Sequence, residues 1–322
     1  MKVLVTGATG FIGAHTVTRL LQGGHDVAAL TRTSAPALER AGMKAVRGDV
    51  ADPADVLRAM AGCEALMHLA NVYSFWERDP RIYWRINVEA TRGVLDAAVE
   101  ARLTKVIHVS TYAVFAASAR RPFTEESPYD PAPASAYVRS KLAGERAAWD
   151  LRERRGLPLV VIYPANALGA GDPKATGQYV ADLVRGRLPA TLFPDTVLTF
   201  VHVGDVAEAI VRALEKPGNV GERYLVGNAR MSLGEMNRMI AQVAGVRLPR
   251  LTLPGPLALA LAAVLTRLAD WTGRPPPWGM ARDQVQTLRH SLEADGSKAE
   301  RELGLAYTPI RRAVEQAVAS LR

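Results

Sequence analysis

The stretch VLVTGATGFIGAHTVTRLL (3–21) joins a short apolar, β-branched run to a run with helical spacing, and Gly7, Gly10 and Gly13 fall on the junction. A strand that turns tightly into a helix through glycines aims backbone N–H groups and the positive end of the helix at one point. That arrangement suits a pyrophosphate. A glycine triplet alone says little, so its meaning depends on whether a parallel sheet follows.

Short apolar runs and helical patterns do alternate after it. HDVAAL (25–30) precedes a weak helix near 35–41, KAVRG (44–48) precedes ADPADVLRAMAG (51–62), and EALMHLA (64–70) is followed by an aromatic loop and RINVEATRGVLDAAVEAR (85–102). KVIHVS (105–110), a helix over about 136–154 stopped by Gly156, and PLVVIYP (158–164) complete the series. Continuous apolar strands separated by helices predict a doubly wound, Rossmann-type α/β fold with a parallel sheet covered on both faces. The dinucleotide-binding domain is expected over 1–166, with the helix and strand of 201–228 returning to it. Residues 167–200 and 229–322, rich in Pro, Gly and Leu and mostly helical in period, are expected to form a smaller, interleaved substrate-binding domain.

Composition narrows the classes. The 322 residues are 48% hydrophobic and 22% charged, which excludes a disordered chain. Cys63 is the single cysteine, so no intramolecular disulfide forms, and an N-terminus that begins as a strand leads to a cytoplasmic expectation. The net charge of +8 comes from scattered arginine, 33 against seven lysines, without interleaved aromatics, so solvated faces are expected and no nucleic-acid partner. His68, His108 and His202 lie in or beside apolar runs without metal-ligand spacing; no metal site is expected. The most apolar segment, 251–271, is broken by Pro254, Gly255 and Pro256 and is too short to span a bilayer. It reads as a buried or partner-facing helix, with shallow membrane contact as the alternative.

The second strand decides which dinucleotide is expected. It ends in Thr31, Arg32, Thr33 and Ser34 with no acid for the adenosine ribose hydroxyls, and Asp26 is at its wrong end. Arg32 there suits a 2′-phosphate, so NADP(H) is preferred over NAD(H). In SAYVRSKLAGERAAW (135–149), Tyr137 and Lys141 stand four residues apart and share a helix face. Their helix follows a strand ending in Ser110 and Thr111, so hydroxyls, phenol and ammonium converge on the side where a nicotinamide belongs.

With these motifs in place, the chain resembles the extended short-chain dehydrogenase/reductase family over nearly its whole length. The likeness rests on TGATGFIG (6–13), GDV (48–50), HLA (68–70), Asn87, VSTYAVF (109–115), YVRSK (137–141), PANALGAGD (164–172), FVHVGDVAEAI (200–210) and SKAERELG (297–304). Within the family it looks most like the dihydroflavonol-reductase-like and hopanoid-associated branch. The resemblance implies that Tyr137 exchanges a proton with the substrate oxygen, that Lys141 bonds the nicotinamide ribose and lowers the phenol's pKa, that Thr111 orients the carbonyl, and that Asn87 supports the lysine side of a proton relay. It also implies cofactor contacts from Gly7, Thr9, Gly10, Phe11, Ile12, Gly13, Asp49, Val50, Leu69, Ala70 and Pro164, and a homodimer built on the helices at 85–102 and 136–154.

The expected reaction is reduction of a ketone or aldehyde. A nucleotide-sugar epimerase or dehydratase is the alternative, and a non-catalytic NADP sensor a third reading. Asn166 stands where sugar-nucleotide members carry an asparagine, yet Val197, Leu198 and Thr199 stand where they carry an arginine for the diphosphate. Tyr73, Phe75 and Trp76 in NVYSFWERDP (71–80) are expected at the carboxyl edge of the sheet, lining a site for a largely apolar small molecule.

Overall fold

The structure is a computed structural model that describes residues 1–115 and 122–321. Twelve strands follow in chain order among these residues: Lys2–Thr6 (β1), Asp26–Thr31 (β2), Lys44–Arg47 (β3), Ala65–His68 (β4), Lys105–Val109 (β5), Leu159–Pro164 (β6), Asn166–Leu168 (β7), Thr191–Leu192 (β8), Val197–His202 (β9), Arg223–Val226 (β10), Ala229–Ser232 (β11) and Thr252–Leu253 (β12). Seven of them form one sheet in the order β10, β6, β5, β4, β1, β2, β3, and every pair in it is parallel. This is the doubly wound, Rossmann-like sheet that the alternation of apolar runs and helices predicts. All residues of β4, β5 and β6 are buried, because helices cover both faces. The strand order reverses between β1 and β4, and the crevice at their carboxyl ends is the place where such sheets bind ligands.

The helix Phe11–Gln22 starts at Gly10 as expected, and Ala136–Arg155 ends at Gly156, whose φ of +71° stops it. Two other segments differ from expectation. Val201 and His202, read as the start of a returning helix, end β9, which lies between β7 and β11 in a separate three-stranded sheet. The helix begins at Val203, where His202 Nδ1 accepts from Gly204 N at 2.9 Å. The residues 85–102 are not one α-helix: Arg81–Trp84 is α-helical, Arg85–Ala90 is a π-helical turn, and Thr91–Glu100 resumes the α-helix. A π turn widens the helix locally, and Asn87 sits inside it.

The helices that carry Asn87 and Tyr137 cross at Gly144. A Cβ at that glycine would stand 2.1 Å from the carbonyl oxygen of Asn87, so only hydrogen fits there. Gly144→Ala is therefore expected to force the helices apart and cost about 1–3 kcal/mol. The measurement is the thermal unfolding midpoint, and an unchanged midpoint would contradict this close crossing.

Candidate active site

The glycine loop is a cradle in which side chains have no room. Gly7 has φ +75°, and a Cβ on it would lie 2.6 Å from the amide nitrogen of Ala70; one on Gly13 would lie 2.0 Å from the carbonyl oxygen of Gly7. Gly10 caps the following helix without any side chain bonding its first amides, and no acid stands in its first turn. The amides of that turn face the crevice with the positive end of the helix dipole. These features fit a bound pyrophosphate. Thr9 and Gly10 are exposed, while Phe11 and Ile12 are partly buried beside them.

Leu69 and Ala70 follow β4 directly against this loop, with Leu69 N donating to Thr6 O and Ala70 N to Thr6 Oγ1, so both border the cradle. Asp49 and Val50 form the turn after β3, where Asp49 N donates to Asp55 Oδ2 at 2.8 Å. Arg32 is exposed just beyond β2, and Arg47 from the end of β3 donates to its carbonyl at 2.8 Å. The end of β2 thus carries an exposed arginine whose carbonyl is held by the guanidinium of Arg47. Arg47 was not singled out from sequence, because only the β2–β3 register, Thr31 opposite Arg47, brings it there. Asp26 is at the far end of β2 and pairs with Lys44.

The phenol lies across the crevice from the cradle. Tyr137 is buried in the first turn of its helix, with the rings of Tyr73 and Phe75 edge-on at 5.2 and 5.9 Å and the Thr111 hydroxyl as hydrogen-bond partner. Burial pushes the phenol's pKa well up, the Tyr73 hydroxyl adds to this, and the bond to Thr111 opposes it. Thr111 is partly exposed at the end of β5. Its neighbour Ser110 is turned away and donates to Glu145 Oε2 at 2.5 Å. That division leaves Thr111 as the hydroxyl on the crevice side.

Lys141 is buried and its Nζ donates to the carbonyl of Val109 at 2.8 Å. Desolvation pushes its pKa down to about 8, against the attraction of Glu145. In this geometry the Lys141 ammonium points to a backbone carbonyl, and burial dominates the shift of the phenol. Asn87 bonds to two neighbouring elements. Its Nδ2 donates to Ser140 Oγ at 2.9 Å and Val72 O at 3.2 Å, and its Oδ1 accepts from Val72 N at 2.7 Å. The side chain pins the loop that carries Tyr73 to the helix that carries Tyr137 and makes no bond to Lys141, nor does it act as a helix cap.

Trp76 parts company with the other two aromatics. Its Nε1 donates to Asp270 Oδ1 at 2.9 Å on the helix Gly255–Thr272, which ties the loop to that helix. Asn166 donates to the Tyr112 hydroxyl at 2.6 Å and to Thr199 O at 3.2 Å, next to the buried Pro164 that ends β6. Glu145, two helical turns beyond Tyr137, is the buried group that sequence reasoning missed. It accepts from Ser110, Tyr129, Tyr163 and Trp149. Its spacing of four from Lys141 was a signal, but an acid in an arginine-rich helix reads as solvated. Below the site, His68 and His108 stack at 5.5 Å; burial pushes His68 down to about 3 and His108 well down. Among the described residues no group of three His, Cys, Asp or Glu side chains converges as a metal site would.

A glycine cradle at the switch point of a parallel sheet, faced by a buried Tyr/Lys pair and the partly exposed Thr111, defines a nicotinamide-dependent oxidoreductase of the short-chain dehydrogenase/reductase type. Residues 3–227 match the NAD dependent epimerase/dehydratase family, and the chain belongs to that family. It is 30% identical to "Sterol demethylase protein B" of Methylococcus capsulatus, with 100% of this chain and 98% of the relative covered. It is 29% identical to the "4-hydroxy-2-methyl-3-oxo-4-farnesyl-3,4-dihydroquinoline-1-oxide ketoreductase" of Stigmatella aurantiaca, over 95% and 92% of the two chains. Among solved structures, that of gox2253 superposes with a TM-score of 0.85 at 33% identity, covering 99% of this chain and 97% of that one.

The lowered pKa of Lys141 has a consequence for stability. Because the folded value lies below the ordinary lysine value of about 10.4, the charged form is penalised only in the folded state. That penalty is complete below pH 8, where lysine is charged both folded and unfolded, and fades as the pH rises toward the unfolded value. The stability of Lys141→Met relative to the parent is therefore expected to fall by roughly 3 kcal/mol between about pH 8 and pH 10.5, on top of the pH-independent cost of leaving Glu145 without its partner. Urea unfolding of both proteins at neutral and alkaline pH tests it, and a difference independent of pH contradicts the assignment.

Proposed function

We propose that the protein is an NADP(H)-dependent reductase of a ketone or aldehyde on a largely apolar molecule. The observation that carries this reading is the buried Tyr137 phenol, bonded to Thr111 and walled by Tyr73 and Phe75, across the crevice from the glycine cradle. A nicotinamide cofactor, when bound, supplies the hydride for the carbonyl carbon. Thr111 orients the carbonyl oxygen by a hydrogen bond. Tyr137, held protonated by burial, gives its proton to that oxygen as it gains negative charge. Lys141 supplies positive charge beneath the phenol and a donor for a ribose hydroxyl. Asn87 keeps the Tyr73 loop and the Tyr137 helix in register.

Arg32 and Arg47 support NADP(H) over NAD(H), since both flank the end of β2 and no acid competes there. On this reading residues 1–166 and 201–228 hold the dinucleotide, residues 167–200 and 229–322 shape the substrate site, and two copies pair through the helices at 85–102 and 136–154 in the cytoplasm. The family also holds epimerases and dehydratases, and a nucleotide-sugar substrate is the second reading. Against it, Val197, Leu198 and Thr199 offer a diphosphate no cation, and the amide nitrogen of Asn166 is already bonded to Tyr112 and Thr199.

Tyr137→Phe is expected to keep NADPH affinity and lose about 10²–10⁴-fold in turnover, the usual worth of general acid catalysis. The assay is NADPH oxidation across apolar ketones and aldehydes with nucleotide sugars in parallel. Retained turnover removes Tyr137 from the mechanism, and conversion of nucleotide sugars alone favours the second reading. Arg32→Ala is expected to weaken NADPH about 10–100-fold, the cost of one hydrogen bond to a charged group, and to leave NADH unchanged. A fluorescence titration in which the parent binds both equally well would overturn the cofactor preference.

A further inference from the structure

The helix Gly255–Thr272 is apolar on both sides, with Leu259 and Leu265 packed against Met280 and Val285 on the inner one. It buries small residues, Ala258, Ala262 and Ala269, and presents large apolar ones to solvent: Leu257 is 55% exposed, Leu261 38%, Val264 54%, Leu268 49% and Trp271 85%. Their spacing of 4, 3, 4 and 3 residues puts all five in one stripe about 80° wide that runs most of the helix length. Leu251 before the helix and Trp278 after it are exposed as well. Scattered apolar residues on a surface need no explanation, whereas a continuous stripe of this kind marks an interaction face.

Charge says what covers it. Between residues 245 and 290 there are six arginines and two acids. Both acids are engaged inside the protein, Asp270 by Trp76 Nε1 and Asp283 by the backbone amide of Ala136. Arg250, Arg267 and Arg274 are exposed, and among the described residues they form no ion pair. Arg267 lies on the flank of the stripe and Arg274 just past Trp271. A second copy laid on the same face would bring both arginine sets into one interface. Apolar side chains edged by arginine and ended by tryptophan instead match the boundary between acyl chains and anionic headgroups. The helix is not long and apolar enough to cross a bilayer.

We propose that this face docks the protein on an anionic lipid surface, with the helix lying in the plane of the interface. The Trp76–Asp270 bond joins the docked helix to the loop whose Tyr73 and Phe75 border Tyr137. An apolar substrate would then pass from the lipid to the catalytic phenol along one wall. This last consequence rests on the reductase reading; the docking itself does not, and it is measured without turnover.

The test is co-sedimentation of the full chain with vesicles of phosphatidylglycerol and phosphatidylcholine in equal parts, and of phosphatidylcholine alone. Binding is expected to the anionic vesicles and to weaken with salt. The triple variant Leu257→Ser, Val264→Ser, Trp271→Ser is expected to bind at least about tenfold more weakly while keeping the parent's circular dichroism and cooperative thermal unfolding, which shows that it is folded. A charge variant, Arg267→Glu with Arg274→Glu, is expected to lose the preference for anionic lipid. The proposal is overturned if the parent stays in solution with both vesicles, or if both variants bind as the parent does. It is equally overturned if the triple variant turns a dimer into a monomer while neither form binds lipid, since the face then pairs two copies.

Discussion

The site depends on two opposite charges buried one helical turn apart. Lys141 and Glu145 are both inside the protein, and neither is tolerable there alone. Glu145 accepts from Ser110 at the end of β5, Tyr163 on β6, Tyr129 in the preceding loop and Trp149 one turn on, while Lys141 donates to Val109 O. An acceptor-only carboxylate with four donors can be met in one way, so the helix is fixed in rotation and height against the sheet. Tyr137 inherits its position from that docking. Such a network contributes uniqueness of structure more than net stability, because an apolar substitute of the same shape would avoid the desolvation cost.

The other wall of the crevice is set by the absence of side chains. Gly7, Gly13 and Gly144 each stand where a Cβ would meet backbone, and each lets two elements approach more closely than any other residue permits. Gly7 brings the loop against Ala70, Gly13 brings the first helix against the loop, and Gly144 brings the Tyr137 helix against the π turn. Asn87 can reach both Val72 and Ser140 across that last approach.

What could be read from the sequence was what a short run of residues encodes. The glycine loop, the apolar strands and the Tyr–Lys spacing are local patterns, and the sheet, the cradle and the pairing of Tyr137 with Lys141 on one face all follow from them. The separation of Thr111 from Ser110 depends on which side of β5 each faces, and the strand period contains that. Other features exist only once distant segments meet. Arg47 reaches Arg32 through strand register, Trp76 is drawn to Asp270 from 194 residues away, and the π turn at Asn87 has no signature of its own. Strand β9 hid within a motif whose second half is a helix. The helix at 255–272 is apolar on both sides, so which side of it meets protein is decided by its neighbours.

Burial acts in opposite directions on the two groups that share the Tyr137 face. It raises the phenol, so that the hydroxyl keeps its proton at neutral pH, and it brings the lysine down to about 8, close to losing its charge. A phenol so held keeps its proton until strong negative charge develops on an oxygen beside it. On the proposed chemistry, the phenol gives its proton to a carbonyl oxygen as that oxygen is reduced. Working in the other direction needs the phenolate, and Lys141 can stabilise that only by turning from Val109 O toward the crevice. On the proposed reading, the desolvated wall of Tyr73 and Phe75 that would suit an apolar substrate also keeps the phenol protonated, so substrate fit and proton supply share one physical cause.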